Sequence, residues 1–307
     1  MLNRMLTRLF WSAVTLVAVA VLTFFLINAV PGDVARSIAG SKASTEVLQQ
    51  VREKYHLNDP LPVRLGHYLA QLARGDLGHS YLTDQSVASA ILTRFPTTAA
   101  LCVSGVILWM LVAVPLGVLT AKFRGTWFDR AILVLSTLSL SLPAFWLARM
   151  LQYWLAFRLG WFPVAGFRSF ASLLLPAATL AIISGGYYIL LIQANMMDVL
   201  NAPFAVTARA KGASEITILF RHALRNALIP VVTVLGTDVA ALLGGVIFTE
   251  NVFALPGIGT LAVQSVFNLD VPMIMGTVLF SATLVVSVNF VVDLLYRWID
   301  PRIKADY

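Results

Sequence analysis

Six apolar runs alternate with polar stretches along the chain: Leu9–Val30, Thr97–Ala121, about Ala131–Phe157, Leu173–Gln193, Ala227–Phe248 and about Pro272–Tyr296. Each is about 20 residues or longer, the length a helix needs to cross some 30 Å of hydrocarbon. A backbone in lipid must satisfy its own hydrogen bonds, so the runs predict six membrane-spanning helices. Pro115 and Gly117 are tolerable in the second, where neighbouring helices satisfy the freed backbone. Ser184-Gly185-Gly186 in the fourth permits either a close helix approach or a hinge. In the fifth, Gly236, Ala240 and Gly244, with Ala241 and Gly245 beside them, form a seam of small residues for tight contact. The first run follows Arg4 and Arg8, as a signal peptide also would. Its length exceeds the roughly 7–15 residues of a signal core, and it holds Trp11 and Phe24-Phe25 with no clear small-residue cleavage site, which favours a retained span.

The polar stretches have patterns of their own. Within residues 31–95, Ser44–His56 places Val47, Leu48, Val51 and Tyr55 on one helical stripe, and Leu61–Arg74 does the same with Leu65, Tyr68, Leu69 and Leu72 before Gly75. His56, His67 and His79 fall here; their wide spacing fits a solvated surface better than a metal site. Glu250–Val271 reads as a compact turn through Leu255-Pro256-Gly257-Ile258-Gly259. Met197–Pro230 is a polar, basic island between two apolar runs. Phe204–Lys211 predicts a short helix, Gly212 a positive-φ turn, and Ser214 or Glu215 the start of a second helix. In that second helix Ile216, Leu219, Phe220, Ala223 and Leu224 recur at the spacing of one apolar face, with Arg221, His222 and Arg225 mostly elsewhere. A helix–turn–helix with a greasy side and a basic side suits a groove on a protein partner or the surface of an anionic bilayer, and the pattern leaves both open.

Composition narrows the class. Of 307 residues, 59% are hydrophobic and 12% charged, and mean hydropathy is +0.82; an ordinary soluble domain carries about 25% charged residues. The formal charge of +7 is spread over the ends of the apolar runs, a pattern of membrane topology and not of nucleic-acid binding. Arg4, Arg8, Lys122, Arg124, Arg130, Arg209, Lys211, Arg221, Arg225, Arg297, Arg302 and Lys304 fall on one side, whereas the short loops of the other offer little beyond Arg158 and Arg168; the 31–95 loop, a near-balanced mixture of charges longer than about 60 residues, largely escapes the rule. The positive-inside rule then places both termini and the 194–225 loop in the cytoplasm. The lone Cys102 excludes an internal disulfide. No G-x-x-x-x-G-K-[ST] loop occurs, so the chain has no ATP site of that kind, and neither a nucleophile–base pattern nor a metal-ligand cluster stands out.

Ionisable groups inside spans are costly and therefore mark pathways or helix contacts. Asp238, in the middle of the fifth span, is the foremost pathway candidate, with an interhelical hydrogen bond as the equal alternative. Arg149 reaches a cavity or snorkels, and Gln152 can share its site. Tyr187, Tyr188, Asn195 and Asn289 can line a polar path, and Asp293 reads as a capping or salt-bridge residue.

Thr207-Ala208-Arg209-Ala210-Lys211-Gly212, with Ala213 and, after a second helix, Leu228-Ile229-Pro230, resembles the coupling loop of ABC importer permeases of the dipeptide, oligopeptide and nickel branch. Val30-Pro31-Gly32-Asp33, Leu57-Asn58-Asp59-Pro60-Leu61, Gly75-Asp76-Leu77-Gly78, Phe145-Trp146-Leu147-Ala148, Leu159-Gly160-Trp161-Phe162-Pro163, Glu250-Asn251, Phe253, Pro256-Gly257-x-Gly259, Asn289, Asp293 and Asp300-Pro301-Arg302-Ile303 are similar to the same branch. The chain departs from it at Val206, where the branch has Glu or Arg, at Leu190 and Gln193, where bases are common, and at Asn268-Leu269-Asp270.

The resemblance implies an all-α, six-helix permease of the type I importer fold: a first span and external region over 1–95, a five-helix core over 96–297 and a cytoplasmic tail over 298–307. It implies that Thr207–Ala213, Ile216, Leu219 and Phe220 contact an ATPase. The implied partners are a second permease, two ATP-binding subunits that hold ATP and Mg, an external solute-binding protein and the lipid bilayer, with no nucleic acid and no cofactor on this chain. The implied place is the bacterial inner membrane. The cargo is a peptide or related small solute, or alternatively nickel or a metal chelate. A carrier working without ATP is the alternative from another class; it usually shows internal repeats, and none is clear here.

Overall fold

The computed structural model describes residues 2–29, 32–40, 42–244 and 246–299, the side chains of 2–5, 206, 222, 244 and 293–299 excepted. Apart from one isolated bridge between His79 and Ser86, the described residues are helix and turn. Five helices are long and apolar enough to cross a membrane: Leu6–Ala29, Val87–Lys122, Ala171–Leu200, Glu215–Leu243 and Val271–Val292. The third predicted span is not a single helix. It is the pair Trp127–Ser141 and Ala144–Arg158, bent by 107°. The cause lies at Leu142-Pro143: proline has no N–H to donate and forces the residue before it out of helical geometry, and Leu142 is extended (φ −80°, ψ 130°).

Two compact units result, Met1–Thr98 with Pro256–Val286, and Ala99–Leu255 with Ser287–Tyr307. In the first, α1 (Leu2–Ala29), α2 (Val34–Ala39), α3 (Thr45–Lys54) and α4 (Leu61–Ala73) precede the start of α5 (Val87–Lys122). Asp33 caps α2 through Ala35 N–H (3.1 Å) and Ser44 caps α3 through Val47 N–H (3.4 Å), each satisfying a donor the helix leaves open. The stripes predicted from periodicity are partly recovered: Leu48 is buried and Val51, Tyr55, Leu65, Tyr68, Leu69 and Leu72 half-buried, whereas Val47 is exposed.

The stretch Glu250–Val271, read from sequence as a turn, is largely helical. It contains the end of α12 (Ile247–Val252) and all of α13 (Ile258–Phe267) before α14 (Val271–Ile299). Pro256-Gly257 breaks the chain between them, and Ile258 N–H is satisfied by Thr98 Oγ1 (2.9 Å). Val87, Ala90 and Ile91 pack on Ile258, Leu261 and Met273.

In the second unit, α6 (Trp127–Ser141), α7 (Ala144–Leu151) and a wider π turn over Gln152–Arg158 lead to α8 (Ala171–Leu200), the most enclosed of the long helices. Gly185 and Gly186 do not hinge α8, which runs through them without a break. Gly186 allows close approach. A Cβ on Gly186 would lie 2.7 Å from the Ser136 carbonyl oxygen of α6, and a Cβ on Gly117 of α5 would lie 2.7 Å from Ile192. In α11 (Leu224–Gly244), Gly236 meets Val292 so closely that a Cβ would come within 2.6 Å of it, and Ala240 is buried. The part of the small-residue seam at Gly244 and Gly245, like Asp293, Val206 and the Asp300–Lys304 ending, lies outside the described side chains.

Candidate coupling segment and polar residues of the spans

Past the apolar run ending near Gln193, α8 continues to Leu200, and α9 (Pro203–Ala210) begins with Pro203 in the first turn, where its missing N–H costs nothing. Gly212 adopts φ +80°, with nothing within 4 Å of the position a Cβ would take. Its turn is set by backbone conformation alone. Ser214 accepts from Thr217 N–H (3.3 Å) and starts a short helix, α10 (Glu215–Thr217). A π turn, Ile218–Ala223, then passes directly into α11. Arg209 braces this unit from its exposed face, donating to Glu215 Oε1 (2.9 Å) and to the Leu200 carbonyl (3.2 Å).

The π turn corrects the predicted apolar face. Burial falls on Ala205, Ile218, Leu219 and Ala223, while Ile216 is 66% and Phe220 55% exposed. A π turn holds more residues per revolution than an α-helix, so positions three apart, Ile216 and Leu219 or Phe220 and Ala223, part onto different faces while those four apart stay together. Ile216 and Phe220, with half-exposed Phe204, are left outward, and Lys211, Arg221 and Arg225 of the same stretch are exposed as well. Thr207, Arg209, Ala210 and Gly212 are exposed too, and Ala208 and Ala213 half-buried.

Two of the proposed pathway residues meet. The Tyr188 hydroxyl donates to Asp238 Oδ2 (2.8 Å), and the fully buried Tyr188 ring stacks on Trp109 with centroids 5.6 Å apart. Tyr187 is exposed and Asn289 half-buried; no described contact joins either to Asp238. Asn195 donates to the Ala227 carbonyl (3.3 Å), a helix-to-helix tie. Arg149 is exposed and donates to Gln152 Oε1 (2.9 Å); the buried Gln152 amide donates in turn to the carbonyls of Val164 (2.8 Å) and Val252 (3.1 Å). Gln152 is therefore a staple that joins the end of α7 to Val164 in the following loop and to Val252 of α12, and Arg149 is tethered to it.

Sequence reasoning missed Asp129. Buried at the start of α6, it accepts from Gln193 Nε2 (2.6 Å) and from Gly125 N–H (2.8 Å), tying the loop after α5 to α8. The available signal was Gln193 itself, a neutral amide donor at the end of an apolar run. His56, His67 and His79 line a single cavity in the first unit, yet among the described residues no group of three or more His, Cys, Asp or Glu is placed to hold a metal.

An all-helical chain with five long spans, one broken span and a helix–turn–helix projecting between two of them matches known proteins over nearly its full length. Residues 113–305 match the family described as binding-protein-dependent transport system inner membrane component, and residues 1–102 match its amino-terminal counterpart. The chain belongs to that family. It is a permease subunit of an ABC importer and a multi-pass inner-membrane protein; in such importers ATP hydrolysis resides on separate subunits, and this permease is not itself an enzyme. It is 40% identical over 296 residues, 94% of each chain, to a peptide transport system permease protein of Brucella abortus (strain 2308). It is 38% identical over 304 residues, 99% of each, to the glutathione transport system permease protein GsiC of Salmonella choleraesuis (strain SC-B67). Among solved structures, a chain of the MetNI methionine ABC transporter in an inward-facing conformation superposes with a TM-score of 0.57 at 19% identity. The match covers 68% of this permease and 95% of that chain and shows a shared fold.

Proposed function

We propose that this permease forms half of a pathway for peptides or closely related small solutes, and that the segment 203–223 transmits ATP-driven movement from an ATPase subunit to the spans. The observation that carries the coupling role is the division of that segment's surface. Ala205, Ile218, Leu219 and Ala223 are buried within the unit, while Phe204, Ile216 and Phe220 stay exposed, as do Lys211, Arg221 and Arg225. Exposed apolar anchors on a segment that also exposes bases suit a protein groove, where burial supplies affinity and charge fixes register. A lipid surface would be served by the same composition, but the family supplies an ATPase as the partner. The peptide cargo rests on the relatives named for peptide and glutathione transport.

The remaining parts of the reading follow the same resemblance. The partners are a second permease, two ATP-binding subunits that hold ATP and Mg, and an external solute-binding protein, with no cofactor on this chain. Both termini and the 194–225 segment lie in the cytoplasm, on the count of basic residues. Because Cys102 is buried, a single cysteine at Lys211 reports the side: labelling by a membrane-impermeant thiol reagent from outside intact cells would reverse the orientation.

The coupling role is tested on the assembled importer. Phe220→Asp and Gly212→Val should each reduce ATPase co-purification and peptide uptake while the spans still insert. The first charges an exposed anchor, and the second imposes on a branched residue the positive φ that only glycine adopts freely. Wild-type assembly and uptake in both would remove the segment from this role. Uptake of nickel or a nickel chelate in place of peptide would replace the cargo assignment and leave the coupling role standing.

A further inference from the structure

The first unit contains a cavity of about 320 Å³ between α1, the stretch that follows α3, α4, the stretch that follows α4, and the start of α14. Its volume is that of a small-ligand site. Two pairs of rings wall it: Tyr55 against Tyr81, centroids 4.5 Å apart, and Phe24 against Tyr68, stacked at 6.3 Å. Burial pushes the Tyr68 hydroxyl up to about 12. It pushes the Tyr81 hydroxyl up as well, and the nearby Arg64 charge partly opposes that rise. Both phenols are therefore neutral near pH 7, with hydroxyls able to donate.

The charges around the cavity are unequally used. Arg52, its neighbour on α3, is held by Asp33 at 2.9 Å. Asp59 faces His56 at 3.4 Å, Asp76 accepts from Gly78 N–H at 2.8 Å, and Asp270 accepts from the Ser80 hydroxyl and from Tyr81 N–H. Arg64, half-buried on α4, and Asp84, exposed at a positive-φ turn, both line the cavity, and neither side chain has a hydrogen-bond or ion-pair partner among the described residues. A half-buried guanidinium without an anion has lost part of its hydration and gained nothing in return, which favours a ligand carboxylate. The free carboxylate of Asp84 on the same cavity offers the complementary place for an ammonium group.

We propose that this cavity binds a small zwitterion, an α-amino acid or short peptide, with Arg64 on its carboxylate, Asp84 on its ammonium group and the tyrosine and phenylalanine rings against its side chain. The inference stands on the cavity alone, whose wall includes Phe24, Val271, Pro272 and Met275 at the ends of two spans but none of the pathway residues named above.

The test is calorimetric titration of the full-length permease in lipid nanodiscs with alanyl-phenylalanine, phenylpropionate and phenethylamine. The dipeptide should bind saturably in the millimolar range or tighter. Arg64→Gln should weaken the dipeptide about tenfold and abolish phenylpropionate binding; Asp84→Asn should weaken the dipeptide similarly but leave phenylpropionate unchanged and remove phenethylamine. Arg64→Lys should restore part of the affinity, which a merely structural role for Arg64 would not require. Absence of saturable dipeptide binding, equal binding in Arg64→Gln and wild type, or loss of binding in Asp238→Asn instead would each overturn the site. Peptide uptake by the whole importer is read separately, so that the cavity can fail while the permease reading holds.

Discussion

The Tyr188–Asp238 pair separates a structural from a transport role by crossing two substitutions. Tyr188→Phe leaves the buried ring on Trp109 and removes only the hydroxyl that donates to Asp238 Oδ2 at 2.8 Å. Hydrogen bonds to charged groups contribute about 1.5–3 kcal/mol. Asp238 is half-buried and can recover some hydration, so the lower end applies and a loss of about 1.5 kcal/mol is expected, roughly tenfold in the folding equilibrium. Asp238→Asn preserves an acceptor for the Tyr188 hydroxyl and removes a costly charge from a span, two effects that oppose one another, so stability should stay near wild type. Transport should show the reverse order. Tyr188→Phe keeps the carboxylate and should keep uptake per assembled complex, whereas Asp238→Asn should lower uptake of an amine-bearing peptide with basal ATP hydrolysis intact. Thermal melting of the complex and initial-rate peptide uptake in proteoliposomes provide the two readouts. Wild-type uptake in Asp238→Asn would refute any part for that carboxylate in the pathway. An equal loss of uptake in both variants, matched by equal losses in melting temperature, would make the pair purely structural.

Two further outcomes follow from close packing. Gly185→Ala should be neutral or slightly stabilising, because its Cβ would meet Trp109 at an ordinary 3.7 Å and alanine gains up to about 1 kcal/mol in a helix. Gly186→Ala, one residue on, would set a Cβ 2.7 Å from the Ser136 carbonyl and should cost about 1–3 kcal/mol by overpacking; matching melting temperatures for the two variants would contradict the α6–α8 contact. Gln152→Leu removes the amide that joins the Val164 and Val252 carbonyls and should lower stability by about 2 kcal/mol, read by melting, and free Arg149, read as faster proteolysis of the 158–170 loop.

The features legible in the sequence were those set by local chemistry. Spans followed from apolar run length, the Gly212 turn from the conformational freedom of glycine, and the starts of α2, α3 and α10 follow from side chains that satisfy open N–H groups. What was missed depends on partners distant in the chain. Asp129 looks like an ordinary first-turn acid until Gln193 is brought to it, and Ser184-Gly185-Gly186 reads equally as hinge or contact until Ser136 is seen against it. Pro143 was visible, but length and hydropathy favour one continuous span; Gln152 in that run binds carbonyls 12 and 100 residues away, which no local pattern announces. The Ile218–Ala223 π turn also escaped, because the 3.6-residue period assumes the helix it replaces.

That π turn bears directly on how the exposed segment could act on the spans. A loop joined to a span by flexible chain would lose a displacement within a few residues. Here α10, the π turn and α11 run without a break from Glu215 past Asp238, which at 1.5 Å per residue is on the order of 35 Å of continuous helix. Leu219, Ala223, Ala227 and Val231 share one buried cluster with Tyr188, Ile192 and Met196 of α8, and a close-packed contact transmits strain in preference to absorbing it. A push on Phe220 and its basic neighbours would therefore reach α8 and α11 together, and the Tyr188–Asp238 hydrogen bond lies between those two helices.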